Sequence, residues 1–206
     1  MTATRDQLTR AIIEAGRSIH ARGWSPATSG NYSARLTSAE VLLTVSGSHK
    51  GQLGADDLVA VDMQGASLEP GKQPSTDTSL HTQLYRWKPE IGAVLHTHSV
   101  SATVLSRIAT GDSLLFADDE LLKAFAGVTT HACQVRVPIL ENDPSITGLA
   151  AAVQPWLQAH PDCAGYLVRG HGLYTWGATL SDALRQVEAF EFLFECELRM
   201  RALQQH

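Results

Sequence analysis

The sequence has few cysteines, few aromatic residues and no long hydrophobic run. Only three of the 206 residues are cysteine, and no C-x-x-C spacing joins them. This argues against a disulfide framework and against a zinc site built from cysteines. No apolar run approaches the roughly 20 residues that cross a bilayer, and the first residues lack the apolar segment of a signal peptide. We therefore expect a cytoplasmic protein in a reducing compartment.

Charge and composition exclude further classes of protein. The formal net charge is −5 at pH 7, without runs of either sign, so we expect no nucleic-acid partner and no membrane partner. The chain is 44% hydrophobic and 18% charged, which excludes a disordered or collagen-like protein. Its length is typical of one domain, and we predict a single domain over residues 1–206.

The hydrophobic pattern predicts alternating helices and strands. Apolar spacings of three and four residues predict helices at 5–22, 78–87, 99–108, 118–126, 144–160 and 181–203. Short apolar runs predict strands at 31–36, 41–45, 58–62, 91–98, 133–140, 164–169 and 173–176. Because hairpins occur beside crossovers, these elements predict an α/β domain with a mixed sheet flanked by helices.

Three of the nine histidines have the pattern of a metal site. His96 and His98 are two apart at the end of a predicted strand, so their side chains share one face, roughly 6.5 Å apart along the backbone. His171 lies between two glycines after another apolar strand, where small neighbours leave room for a metal and a substrate. A lone histidine at a strand end is more often structural, so only the combination predicts a site. Three imidazoles suit zinc, although iron, cobalt or manganese can substitute, and three ligands leave positions open for catalysis.

The other histidines carry weaker signals. His81 lies on the helical face shared by Asp77 and Tyr85, where it either lines the site or packs in the core. The remaining histidines show no pattern of ligands; they are His20, His49, His131, His160 and His206.

Three loops combine small hydroxyl residues with glycine, proline or lysine. They span residues 28–33, 46–51 and 74–77, and the last precedes a helix. Backbone N–H groups at such turns, together with hydroxyls and a lysine, can hold a phosphate. None of the loops matches a nucleotide-binding fingerprint, and each alone is more often an ordinary turn. Together with a metal site they indicate a phosphorylated substrate.

These motifs, taken in order, resemble the class II aldolase/adducin family over nearly the whole chain. The matching segments are Gly30-Asn31, Ser46-Gly47, Pro74-Ser-Thr-Asp-Thr-Ser-Leu-His81, His96-Thr-His98 and Gly170-His171-Gly172. Residues 137–142 and 169–177 are similar to the branch that dehydrates methylthioribulose 1-phosphate in methionine salvage. The resemblance implies a three-layer α/β/α fold with a central mixed, largely antiparallel sheet. It also implies a homotetramer with active sites near subunit interfaces.

The resemblance also implies roles for individual residues. It implies one zinc ion per subunit, held by His96, His98 and His171. The residues it implies for the substrate and its phosphate are Asn31, Ser46, Gly47, Ser75 and Thr76, with Lys50 as an addition in this branch and Asp77 beside them.

The sequence departs from the aldolases of the family at Asp77, where they carry a glutamate acid/base. Aspartate is one methylene shorter, and a displacement of about 1 Å can cost roughly a hundredfold in rate, which puts aldol cleavage in doubt. In the dehydratase branch the acid/base is a glutamate that opens a later short helix, and Glu120 matches it. A first-turn glutamate is otherwise favoured by the helix dipole alone.

The implied reaction is zinc-dependent conversion of 5-methylthioribulose 1-phosphate to 5-methylthio-2,3-dioxopentyl 1-phosphate and water. Glu120 is expected to move the protons at C3 and C4, with its pKa raised by partial burial. Two alternatives stay open. One is a sugar-phosphate aldolase or 4-epimerase of the same family, and the other is a metal-free interaction module like the adducin head.

Overall fold

The computed structural model describes residues 3–204, which form eight strands and five α-helices. The helices are α1 (Arg5–Ala21), α2 (Thr78–Trp87), α3 (Val100–Ile108), α4 (Ile146–Ala159) and α5 (Leu180–Leu203). The strands are β1 (Asn31–Arg35), β2 (Glu40–Thr44), β3 (Leu58–Asp62), β4 (Ala93–Thr97), β5 (Ser113–Ala117), β6 (Gln134–Leu140), β7 (Gly165–Val168) and β8 (Gly172–Gly177). No helix within residues 3–204 has the length and apolar character needed to cross a membrane.

The strands form one sheet in the order β3-β2-β1-β4-β8-β7-β6-β5. Every neighbouring pair is antiparallel except β6 and β7, which are parallel. The predicted mixed, largely antiparallel sheet is thus confirmed. In its register His96 of β4 lies between Asn31 of β1 and Tyr174 of β8. The centre of the sheet therefore brings two predicted site residues next to each other.

Helices cover both faces of the sheet, which confirms the three-layer α/β/α prediction. Helices α2 and α4 pack on one face through buried residues that include Leu80, Leu84, Leu149, Val153 and Leu157. Helices α1, α3 and α5 pack on the other face, where the buried residues include Ile12, Ile19, Leu105, Val187 and Phe190. Since side chains alternate along a strand, His96 projects to the α2/α4 face, and Thr97 projects to α5, where it contacts Glu191.

The segment after β4 passes directly into a helix. The side chain of Ser99 caps α3 by accepting a hydrogen bond from the backbone N–H of Ala102 at 3.0 Å. An N-cap of this kind stabilises the first turn, whose N–H groups have no partner within the helix. His98 is therefore held in a short connection between a central strand and a capped helix.

The structure differs from the predicted elements mainly between residues 111 and 127. Strand β5 has no counterpart among the predicted strands: it is an edge strand of the sheet, and Leu115 is about half exposed. The predicted helix at 118–126 is wrong, since only a 3-10 helix forms, at Glu120–Ala124. Asp118 and Gly127 both have positive φ (63° and 80°), a conformation that interrupts a right-handed helix at either end of this stretch.

Candidate metal centre

Three histidines from separate parts of the chain meet at one end of the sheet. His96 is in β4, His98 follows β4, and His171 lies in the turn between β7 and β8. The Nε2 atom of His96 is 2.7 Å from Nε2 of His98 and 3.3 Å from Nε2 of His171. Nitrogens at about 2.0–2.1 Å from a shared tetrahedral ion lie roughly 3.3 Å apart, so the three atoms can bind one ion after small shifts.

The orientation of His96 is set by two contacts with β8. Its Nδ1–H donates to the carbonyl oxygen of Leu173 at 2.9 Å, which leaves the lone pair of Nε2 directed at the other two histidines. Its ring stacks on Tyr174, with centroids 3.8 Å apart and planes 10° apart. The side chain is fully buried, so this metal-binding tautomer is held without competition from water.

Two glycines make the approach of His171 possible. Gly170 has a φ of 67°, in the left-handed region that favours glycine. A Cβ on Gly172 would lie 2.0 Å from the carbonyl oxygen of Thr97, which only a residue without a side chain avoids. The glycines beside His171 therefore serve the backbone, by closing the turn and by letting β8 approach β4.

Burial keeps the three imidazoles neutral at neutral pH. It lowers the pKa of His96 well below its ordinary value, and the neighbouring His98 and His171 lower it further. Burial and the adjacent His171 lower the pKa of His98 to about 4, and burial also lowers the pKa of His171. The neutral form is the one that binds a metal, so the cluster needs no deprotonation to do so.

The three hydroxyl-rich loops converge beside the histidines. The backbone N–H of Ser46 donates to the carbonyl of Gln73 at 3.1 Å, and that of Ser75 donates to the carbonyl of Thr44 at 3.2 Å. Gly47, which follows Ser46 in the loop, has a φ of 77°. The loops around residues 46 and 75 are thus joined by backbone hydrogen bonds.

Lys50 joins the first loop to the second. It is almost fully buried, and its Nζ donates to the carbonyls of Thr28 at 3.0 Å and Ser48 at 2.6 Å. Burial lowers the pKa of Lys50 to about 8, although the charge of Asp57 opposes the shift. Because an ammonium has three donors, one N–H remains for a ligand such as a phosphate oxygen.

Asp77 links the loops to the histidines. Its Oδ2 accepts a hydrogen bond from the Asn31 amide at 2.8 Å and lies 3.7 Å from Nε2 of His96. Its backbone N–H donates to the Ser75 hydroxyl at 3.4 Å, and the adjacent Thr76 hydroxyl lies 3.4 Å from Oδ1. The carboxylate therefore faces the side of the cluster that lies next to the loops.

Glu120 is not brought to the histidines within one chain. Its side chain is 74% exposed, it pairs with Lys123, and it lies 3.2 Å from Nδ1 of His131. The neighbouring Lys123 lowers the pKa of Glu120. The expectation that burial raises this pKa is therefore wrong for the single chain, because the carboxylate is solvated and next to a cation.

The structure decides between the two roles predicted for His81 and adds Ser33 as its partner. His81 is fully buried and, instead of lining the cluster, contacts Asn31 and Ser33. Ser33 in turn contacts the Tyr85 hydroxyl at 2.9 Å. The spacing contains a signal for these residues, since positions 31 and 33 share a strand face, and positions 77, 81 and 85 share a helix face. The other histidines lie outside the cluster, and His206 lies outside the described residues.

A family model matches most of the chain. The model described as "Class II Aldolase and Adducin N-terminal domain" matches residues 10–198. The chain belongs to the class II aldolase and adducin family. The resemblance inferred from the motifs is thus confirmed.

Similar proteins within this family cover almost the full chain. A protein of Azotobacter vinelandii named methylthioribulose-1-phosphate dehydratase is 72% identical over 204 residues, 99% of each chain. A Pseudomonas aeruginosa protein of the same name is 69% identical over 203 residues, 98% of this chain and 99% of that one. The crystal structure of L-fuculose-1-phosphate aldolase from Thermus thermophilus is 26% identical, with a TM-score of 0.79, and covers 98% of this chain and 100% of the other.

Proposed function

We propose that this protein is a zinc-dependent hydro-lyase that converts 5-methylthioribulose 1-phosphate to 5-methylthio-2,3-dioxopentyl 1-phosphate and water, in the salvage of methionine. The observation that carries the proposal is the cluster of three neutral imidazoles beside loops suited to a phosphate. Relatives about 70% identical over nearly the whole chain are named for this activity, which supports the same substrate here.

The ligands of the proposed zinc ion are Nε2 of His96, His98 and His171, with one ion per subunit. Three imidazole ligands leave coordination positions open, which is typical of a catalytic zinc site. When bound there, the ion would supply Lewis-acid polarisation of the ketose oxygens.

The remaining roles fall to side chains of this chain. The loops at Asn31, Ser46, Gly47, Ser75 and Thr76, with the free N–H of Lys50, are proposed to hold the phosphate. Glu120 is proposed to take the proton from C3 and to deliver a proton to the C4 hydroxyl, which leaves as water. The resulting enol then becomes the 2,3-diketone as C4 gains a proton from solvent.

We further propose that the chain is a single domain that works as a homotetramer, with active sites near subunit interfaces. One continuous eight-stranded sheet supports the single domain. The tetramer is supported by the exposure of Glu120, whose carboxylate is accessible to another copy, and by an exposed apolar stripe of Val100, Val104 and Ile108 on α3. This stripe begins two residues after His98.

Metal analysis followed by an assay for water loss tests the proposal. The purified protein should contain one zinc per subunit and should consume 5-methylthioribulose 1-phosphate to form a diketone that keeps its phosphate. Chelation should abolish the activity, and added zinc should restore it. Metal-loaded protein that leaves this substrate unchanged would refute the proposal.

The family likeness to an L-fuculose-1-phosphate aldolase favours one other activity, a sugar-phosphate aldolase or 4-epimerase. Both need the same metal and phosphate loops, so only the products separate them from a dehydratase. Incubation with fuculose 1-phosphate or ribulose 5-phosphate would yield retro-aldol fragments or an epimer if this alternative holds.

A further inference from the structure

A chain of buried hydrogen bonds runs from α2 and β1 to the edge of the histidine cluster. It starts at the Tyr85 hydroxyl, 2.9 Å from the Ser33 hydroxyl, which lies 2.7 Å from Nδ1 of His81. Nε2 of His81 is 2.5 Å from Oδ1 of Asn31, and Nδ2 of Asn31 is 2.8 Å from Asp77. These five side chains are at least nine-tenths buried, so their hydrogen-bond partners are protein groups rather than water.

The carboxylate at the end of this chain determines the direction of every bond in it. An ionised Asp77 can only accept, so Asn31 must present its amide nitrogen to it. Oδ1 of Asn31 then faces His81 and must accept, which requires a proton on Nε2 of His81. A neutral His81 has its lone pair on Nδ1, so the Ser33 hydroxyl must donate to it. Burial lowers the pKa of His81 to about 4, in agreement with a neutral ring.

We propose that His81 is a positioning residue that fixes the amide of Asn31 with its N–H group turned toward the substrate phosphate. This inference rests on the proposed function, because it assigns Asn31 to the phosphate. Asp77 takes one of the two hydrogens on Nδ2 of Asn31, and the other serves the phosphate. Without a donor at position 81, the amide loses its preference for this orientation. The flipped amide would direct Oδ1 at Asp77 and at the bound anion, and both contacts are repulsive.

The two amide replacements of His81 separate a positioning role from a merely structural one. His81→Gln places an amide nitrogen near the former Nε2 and keeps a donor for Asn31. His81→Asn keeps an acceptor near the former Nδ1 for Ser33 but loses the donor. Both replacements put a polar amide into the same buried space, so each is the matched control of the other.

The measurement is the binding of inorganic phosphate to the zinc-loaded protein by titration calorimetry, beside steady-state kinetics with 5-methylthioribulose 1-phosphate. We expect His81→Asn to weaken phosphate binding and to raise KM about tenfold, the effect of one hydrogen bond to a charged ligand, with kcat within about threefold. We expect His81→Gln to remain within about threefold of the wild type in both constants. The zinc content should be unchanged in both variants.

Equal phosphate affinity in all three proteins would overturn the proposal, as would equal losses in the two variants. If His81→Asn does not fold, Ser33→Ala serves instead, because it removes the donor to Nδ1 and releases the tautomer of His81. We expect Ser33→Ala to weaken phosphate binding about threefold, and wild-type affinity would count against the proposal. A wild-type protein that binds phosphate without dehydrating the sugar would refute the proposed function alone.

Discussion

His96 and Tyr174 stack face to face across the β4–β8 pair, with ring centroids 3.8 Å apart and planes 10° apart. Tyr174 is itself fully buried and stacks on Tyr166 on its other side, at 5.0 Å. Two tyrosines therefore form a rigid support beneath the central histidine of the cluster. The support matters because a metal ligand must keep one orientation before the ion arrives.

Two replacements of Tyr174 should distinguish the contribution of its ring from that of its hydroxyl. We expect Tyr174→Phe to keep wild-type zinc content and a free energy of unfolding within about 1 kcal/mol, since the stacked ring is retained. Tyr174→Ala should lose about 3–5 kcal/mol through the cavity it leaves, and bind zinc more weakly because His96 is free to rotate. Denaturant unfolding and metal titration measure both. Wild-type zinc affinity in Tyr174→Ala would show that the stack has no role in the site.

Removing one histidine of the cluster should remove the metal without unfolding the chain. His171 is partly exposed and lies in a turn, so His171→Ala should fold while its zinc affinity falls by more than the roughly 10–100-fold lost with an outer-shell partner. His160→Ala is the control, because His160 is exposed and stacks on Trp156. Metal analysis of both variants after dialysis checks the expectation, and equal zinc content would contradict it.

Glu120 offers a test of the proposed proton transfers. Glu120→Gln should keep zinc content and melting temperature, because the side chain is exposed, and should lower kcat by about 10²–10⁴. Glu141→Gln is the matched control, an exposed glutamate that pairs with Arg169. A Glu120→Gln protein that turns over at the wild-type rate would show that another group moves the protons.

Lys50 should make phosphate binding depend on pH. Its pKa is lowered to about 8 by burial, so it is charged at pH 7 and loses its charge as pH rises through 8. The phosphate group of a sugar phosphate has a second pKa near 6 and is already a dianion in this range, so the affinity for the sugar phosphate should fall as pH increases from 7 to 9. Lys50→Met should bind the sugar phosphate about tenfold more weakly at pH 7, with no further fall over that range. A similar pH dependence in both proteins would exclude Lys50 as the titrating group.

Lys72→Met serves as the control for that experiment. Lys72 forms a salt bridge with Glu69 at 3.3 Å and donates to the carbonyl of Leu58, the first residue of β3. Its removal should leave the pH dependence of phosphate binding unchanged.

Glu191 should make stability depend on pH in the opposite direction from a salt-bridged acid. Burial raises its pKa from 4.5 to about 7, although the hydroxyls of Ser99 and Thr97 favour the charged form. The contribution of Glu191 to the free energy of unfolding is fully present below pH 4.5, where the carboxyl is protonated in both the folded and the unfolded state. This contribution is lost as pH rises through 7. Glu191→Gln should therefore be more stable than the wild type at pH 8, by on the order of 3 kcal/mol.

The free energy of unfolding at pH 5 and pH 8 measures the effect of Glu191. Glu188→Gln is the control on the same helix, since Glu188 is partly exposed and pairs with Arg22. If Glu191→Gln changes stability equally at both pH values, the carboxyl does not titrate in the folded protein as its burial requires.

Much of the fold follows from local patterns. The predicted helix at 78–87 has the bounds of α2, and the predicted strand at 58–62 has those of β3. Strand β5 and the 3-10 helix at Glu120–Ala124 could not be predicted in this way. Strand β5 depends on pairing with β6, about twenty residues further along the chain, and a local pattern does not contain that pairing.

Some features of the candidate site could also be predicted from the sequence, and others could not. The spacing of His96 and His98 places both on one strand face, and the family motifs lead to His171 and to the loop residues. The pairing of Asn31 with Asp77, the tautomer of His81 and the solvated position of Glu120 have no counterpart in local sequence. Each depends on which groups surround the side chain after folding.

The sequence by itself determined the family, the layered α/β architecture and the residue types of the centre, because periodicity and motif spacing are local properties of the chain. The tertiary structure alone decided that Nε2 of His96 and Nε2 of His171, 75 residues apart, come within 3.3 Å, and that Nδ1 of His96 carries the proton. The physical reason is that these distances and tautomers are set by strand register, close backbone approach at Gly172 and buried hydrogen bonds, which exist only once the sheet has formed.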